Sequence, residues 1–136
     1  PLRLYTLNRD FSAPGIENMG SVDYDHEMPY VFHHSKINLN ITLKSIKSGI
    51  PLRAIDIMSA GGFLLTNFQA DFLDYYVPDE DFVYYTDLND LNEKIAYYLS
   101  HEEERRQIAQ SGRKKVREFH SFEQRFREIF AIVFPN

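Results

Sequence analysis

The stretch NLNITLKSIKSGIPLRAIDIMSAGGFLLTN, from Asn38 to Asn67, constrains this chain more than any other part. It reads as a strand, a glycine-proline turn, a short helix, a second glycine pair and a buried strand. Ile37, Leu39 and Ile41 alternate with Asn38 and Asn40, the period of two that a strand requires. Gly49 and Pro51 interrupt that pattern. Proline is favoured at a helix start because its missing N–H has no partner there to lose. The helix expected over about Leu52 to Ala60 stops at Gly61-Gly62. Phe63 to Thr66 then reads as a central parallel strand covered on both faces.

The flanking regions extend the same pattern. Leu2 to Leu7 reads as a strand, Asn8 to Gly20 as a loop, and Ser21 to Asp25 as a brief strand. Met28, Val31 and Phe32 share helical spacing within Asp25 to Ser35. Ala70 to Tyr76 fits one or two helical turns, Pro78 to Asp81 an acidic turn, and Phe82 to Tyr85 a further strand. The last third is helical. Asp87 caps a helix to Leu99, and Ser100 with Glu103 matches a capping box for a helix ending near Phe119. Ser121 with Gln124 matches another. That final helix carries Phe122, Phe126, Ile129, Phe130 and Val133 on one stripe, part of which should pack on the chain's own sheet. Strands alternating with helices imply an α/β fold, a Rossmann-like parallel sheet with right-handed crossovers flanked by helices and followed by a helical C-terminal region.

Length and charge set the boundaries. The 136 residues suffice for one domain with a core, so residues 1–136 are read as a single unit. The chain opens without Met and directly in a strand-like run, as expected of a piece of a longer protein. A net charge of −5 argues against a broad nucleic-acid footprint, which needs a basic surface. No apolar run approaches membrane-spanning length. The first residues, PLRLYTLNRD, do not read as a signal peptide. With no cysteine there is no disulfide or thiolate metal site, and a reducing, cytoplasmic setting is expected. The five histidines form no metal-ligand spacing, and no Walker, GxGxxG or GxSxG pattern occurs.

The chemistry concentrates in the opening segment. In open parallel α/β sheets ligands bind at the carboxyl ends of strands. The turn after Ile41 lies there and holds Ser45, Lys47, Ser48 and Gly49 before a helix opens. A helix N-terminus offers unpaired N–H groups and partial positive charge, which attract phosphate. Arg53 sits in the first turn, where the dipole disfavours a cation. It either grips a diphosphate or pairs with Asp56, one turn further on. Asp56, flanked by Ile55 and Ile57, needs partners, which are either vicinal ribose hydroxyls or Arg53. Gly61-Gly62 reads as a helix stop that also allows close packing of the next strand.

Residues from about Asn38 to Arg125 resemble the C-terminal donor-binding domain of GT-B glycosyltransferases, in a family 1/4-like, spore-maturation-type branch. The resemblance is carried by LNIT at Leu39 to Thr42, GIPLRAID at Gly49 to Asp56, SAGGFLLTN at Ser59 to Asn67, and the helical tail from Asp87 to Arg125. It implies the Rossmann-like half of a two-domain, metal-independent enzyme that binds a nucleotide-sugar without a cofactor, the acceptor being held by an N-terminal domain. It implies donor-binding roles for Lys47, Ser48, Gly49, Arg53, Asp56, Gly61 and Gly62, with Asp56 on the ribose. Many family members carry two acids eight positions apart. Here Asp56 stands at the second position and Ser48 at the first. The catalytic base is expected outside this chain. Self-association through the last helix is a further expectation. The alternative is a non-catalytic Rossmann-like interaction module derived from such an enzyme.

Overall fold

A computed structural model describes residues 1–135. The chain forms β1 (Leu2–Tyr5), β2 (Ile16–Gly20), α1 (Met28–His34), β3 (Asn38–Asn40), α2 (Leu52–Ser59), β4 (Leu64–Asn67), β5 (Val83–Tyr85), α3 (Leu88–Ser100), α4 (Glu102–Phe119) and α5 (Phe122–Val133), with a 3-10 turn over Ala70–Asp74. The class is α/β and every strand pairing is parallel. The strands form two sheets rather than one: β1 pairs with β2, and β4 lies between β3 and β5.

Central β4 is covered on both faces, as its apolar sequence requires. Leu64 packs into a cluster with Phe32, Ala54, Ile57, Met58, Phe72, Tyr76, Phe82 and Val116. Phe63 and Leu65 join Val83, Tyr85, Leu91, Tyr98, Ile108 and Ala109 on the other side. Thus α1 and α2 cover one face, α3 covers the other, and α4 reaches both. Gly61 (φ +79°) reverses the chain between α2 and β4, its N–H donating to the Met58 carbonyl and that of Gly62 to the Ile57 carbonyl. A side chain on Gly62 would collide with the Phe32 carbonyl and the Asn38 amide, so the pair serves both helix termination and close packing.

Several elements differ from the sequence reading. The second strand is Ile16–Gly20, inside the expected loop, and the expected strand over Ser21 to Asp25 is a turn. There the Asp23 carboxylate accepts from the N–H groups of Asp25 and His26, an Asx turn that competes with extended backbone. In β2 the Asn18 amide holds the β1–β2 connection through the Asn8 and Phe11 carbonyls, a long-range tie that no local pattern encodes. The β3 strand forms as expected, yet Asn38, Asn40 and Thr42 are buried while Ile41 is 66% exposed. The buried amides are satisfied: Asn38 donates to the Phe32 and Phe63 carbonyls, and Asn40 to the Thr66 hydroxyl.

Asp87 caps α3 through the N–H groups of Asn89 and Asp90, and Ser121 caps α5 through that of Gln124. The Ser100–Glu103 capping box does not form. A single residue, His101, separates α3 from α4, so Ser100 closes α3 and its hydroxyl donates to the Tyr97 carbonyl. The last helix also departs from expectation. None of its residues is buried, and its stripe, from Phe122 at 86% to Ile129 at 52% exposure, does not pack on the sheet.

Candidate functional site

The β3–α2 turn and the start of α2 converge at the carboxyl ends of β3 and β4. Residues 41–53 carry Lys44, Lys47 and Arg53 and no carboxylate, in a chain of net charge −5. Asn67, at the end of β4, anchors the turn: its side chain accepts from the Thr42 N–H at 2.7 Å and donates to the Thr42 carbonyl at 3.2 Å. Beyond that clamp Lys47, Ser48 and Gly49 are exposed. Gly49 has φ +92°, a conformation that favours glycine. Pro51 opens α2 with φ −60°, no side chain caps the helix, and no acid stands in its first turn. The N-terminal dipole is therefore uncompensated by its own sequence.

Two internal groups occupy atoms that the sequence reading reserved for ligand. The Gly49 N–H donates to the Asp71 carboxylate, from the 3-10 turn after β4. The Asp56 carboxylate accepts from the Tyr24 hydroxyl. Burial first, and then the bond to Asp56, push the Tyr24 phenol up to about 12, so it remains a donor at neutral pH. Arg53 makes no ion pair with Asp56 or any other carboxylate among the described residues, and it is exposed. The Arg53–Asp56 pairing is thereby set aside. Its positive charge acts on the Tyr24 phenol, so Arg53, Asp56 and Tyr24 form one electrostatic group.

The structure brings together Lys47, Ser48, Gly49, Arg53 and Asp56 along the turn and the first half of α2. It does not bring Gly61 and Gly62 there. They lie past the other end of α2, about 12 Å away along its axis, beside the amino end of β4. The left-handed backbone of Gly61 and the crowding at Gly62 are accounted for by chain reversal and packing. Tyr24, Asp71 and Asn67 were missed by sequence reasoning. Tyr24 and Asp71 act across 32 and 22 positions, respectively, and nothing local marks either. A hollow of about 320 Å³ at the carboxyl ends of β1 and β2, lined by Arg9, Asn18, Met19, Gly20 and Ser21, was also missed.

No group of three or more His, Asp or Glu side chains that could hold a metal ion occurs among the described residues. No helix among them is long and apolar enough to cross a membrane.

The fold matches that of sucrose-phosphate synthase from Thermosynechococcus elongatus, with a TM-score of 0.65 at 21% identity. The match covers 86% of this chain and 31% of that one, so the chain corresponds to under a third of that protein. The expected GT-B Rossmann-like half is consistent with this match. No curated protein sequence matches the chain. The model of the family described as glycosyl transferase-like matches residues 3–131, nearly the whole chain, from β1 to the last turns of α5. The chain therefore belongs to the glycosyl transferase-like family.

Proposed function

We propose that this chain is the nucleotide-sugar-binding half of a glycosyltransferase that moves a sugar from an NDP-sugar to a glycan, lipid or protein acceptor. The observation that carries the reading is an all-cationic turn meeting the uncapped N-terminus of α2, in a chain of this family. The donor diphosphate lies against the helix start and, once it displaces Asp71, against the Gly49 N–H, with Lys47 and Arg53 balancing its charge. That arrangement stabilises the nucleoside diphosphate as a leaving group through fixed dipoles and side-chain cations, without a metal. Ser48 lies beside it. Asp56 holds the ribose hydroxyls once Tyr24 releases it. The acceptor and the catalytic base come from another domain.

Calorimetry with UDP, GDP and their sugars on the full-length protein tests this directly. Arg53→Ala should weaken diphosphate binding about tenfold while leaving nucleoside binding nearly unchanged. Equal losses for both would remove Arg53 from the phosphate role. Absence of nucleoside diphosphate binding at millimolar concentration would overturn the reading.

Ser48, together with the internal occupation of Gly49 and Asp56, favours a second reading, a partner-binding module that has lost turnover. It differs from the first in one measurable respect, since the full-length protein would release no nucleotide from any sugar donor.

A further inference from the structure

A groove of about 550 Å³ opens at the amino ends of β3 and β4, past the far end of α2 from the β3–α2 turn. Its size falls within the range of small-molecule sites, roughly 300–1,000 Å³. One wall is the exit of α1, with His33 and Lys36. The other is α4, with Arg105, Arg106 and Arg113. At its edge Gly61 lacks a side chain. A Cβ there would stand 3.2 Å from His33 Nδ1 and 3.5 Å from Arg113 Cδ, so the bare glycine lets both side chains close over the chain reversal.

The charges in this groove do not balance. Arg105 is only 6% exposed, and its guanidinium donates to the Tyr98 carbonyl in the last turn of α3. That contact caps a helix end but does not neutralise the charge. No carboxylate lies within ion-pairing distance of Arg105, Arg113 or Lys36 among the described residues. The one carboxylate in the lining, Glu102, is held by Arg106 at 2.6 Å. A buried cation is costly unless it is paired. Here the groove meets it with two more unpaired cations. The His33 Nδ1–H donates to the Ala60 carbonyl at 3.0 Å, so Nε2 can donate to an anion only in the protonated ring.

We propose that this groove binds a soluble phosphate ester through its phosphate, at a site separate from the β3–α2 turn. Three unpaired cations call for a dianion rather than a single carboxylate. The forked guanidinium groups of Arg105 and Arg113 match phosphate oxygens in pairs. The proposal does not depend on the donor-site reading.

Inorganic phosphate, the group such esters share, titrated into the full chain and followed by amide NMR, separates the two sites. The Gly61 and Gly62 amides report the groove, and those of Ser48 and Gly49 report the turn. Saturable shifts at Gly61 and Gly62 are expected. Arg113→Gln should weaken them about tenfold, and Glu102→Gln should strengthen them several-fold by removing the opposing charge. Both changes are on exposed positions of α4, so folding is retained. Shifts confined to the turn, no saturable shift at all, or groove shifts indifferent to both variants would overturn the proposal.

Discussion

The Tyr24 hydroxyl donates to the Asp56 carboxylate across 32 positions of chain, joining the turn before α1 to the middle of α2. The acid expected to receive a ribose is thus already satisfied from within the chain. Tyr24 is half exposed, so the contact can open at low cost. Tyr24→Phe removes the competitor and should raise nucleoside diphosphate affinity about threefold, since the competent form no longer shares the population with a closed one. Asp56→Asn in the same calorimetric series should lower it. A Tyr24→Phe variant that binds more weakly than the parent would make the phenol part of the ligand site instead.

Gly112, in the middle of α4, packs directly on the loop before β5. A side chain there would overlap the Asp81 carbonyl oxygen and press on the Met58 sulfur at 3.4 Å. The obstacle is backbone, which cannot rotate away. Gly112→Ala should therefore lower the thermal midpoint by about 5–15 °C despite alanine's better helix propensity. An unchanged midpoint would show that the loop yields.

His120 closes α4 beside the Tyr76 hydroxyl, 2.7 Å from its Nδ1. Burial first, and then Arg125, lower its pKa from the usual 6.5, while Glu128 opposes them. The folded chain thus takes up this proton less readily than the unfolded chain. Its contribution to stability is present above pH 6.5 and is lost as the pH falls from there towards the folded value. Urea titrations between neutral and mildly acidic pH should show this loss, and His120→Gln should flatten it. An identical pH slope in the variant would assign the effect elsewhere.

The outer face of α5 exposes Phe126, Ile129 and Phe130, flanked by the Arg127–Glu123 and Arg125–Glu128 pairs. So much contiguous apolar surface favours association. Sedimentation should show a mass that rises with concentration and falls back to the monomer in a Phe126→Ser, Phe130→Ser double variant. A parent chain that stays monomeric throughout would refute it.

The centre of the fold was legible because two periodicities and two stops coincide there. The existence of β3, the α2 start at Pro51, the Gly61 reversal and the apolar β4 run each agree with the structure. What failed was long-range or competitive. The strand around Asn18 depends on an amide reaching back to the preceding loop. Ser100 lost its expected role because only one residue separates two helices. The inward turn of Asn38 depends on carbonyls from α1 and from the entry to β4, and that of Asn40 on the Thr66 hydroxyl. The candidate site was half visible. Lys47, Ser48, Gly49, Arg53 and Asp56 are contiguous in sequence and converge in space. Tyr24 and Asp71, which hold two of the key atoms, are brought in by tertiary structure alone.

Among the described residues β3 is an edge strand, hydrogen-bonded only to β4. The run from Ile37 to Leu43 contains no charge and no proline, and its Ile41 and Leu43 face solvent. Such an edge is a template for intermolecular strand addition. Lys36 and Lys44 flank it on either side, where like-charge repulsion works against stacking of copies. Modification that neutralises both lysines should therefore favour aggregation from a fully folded state.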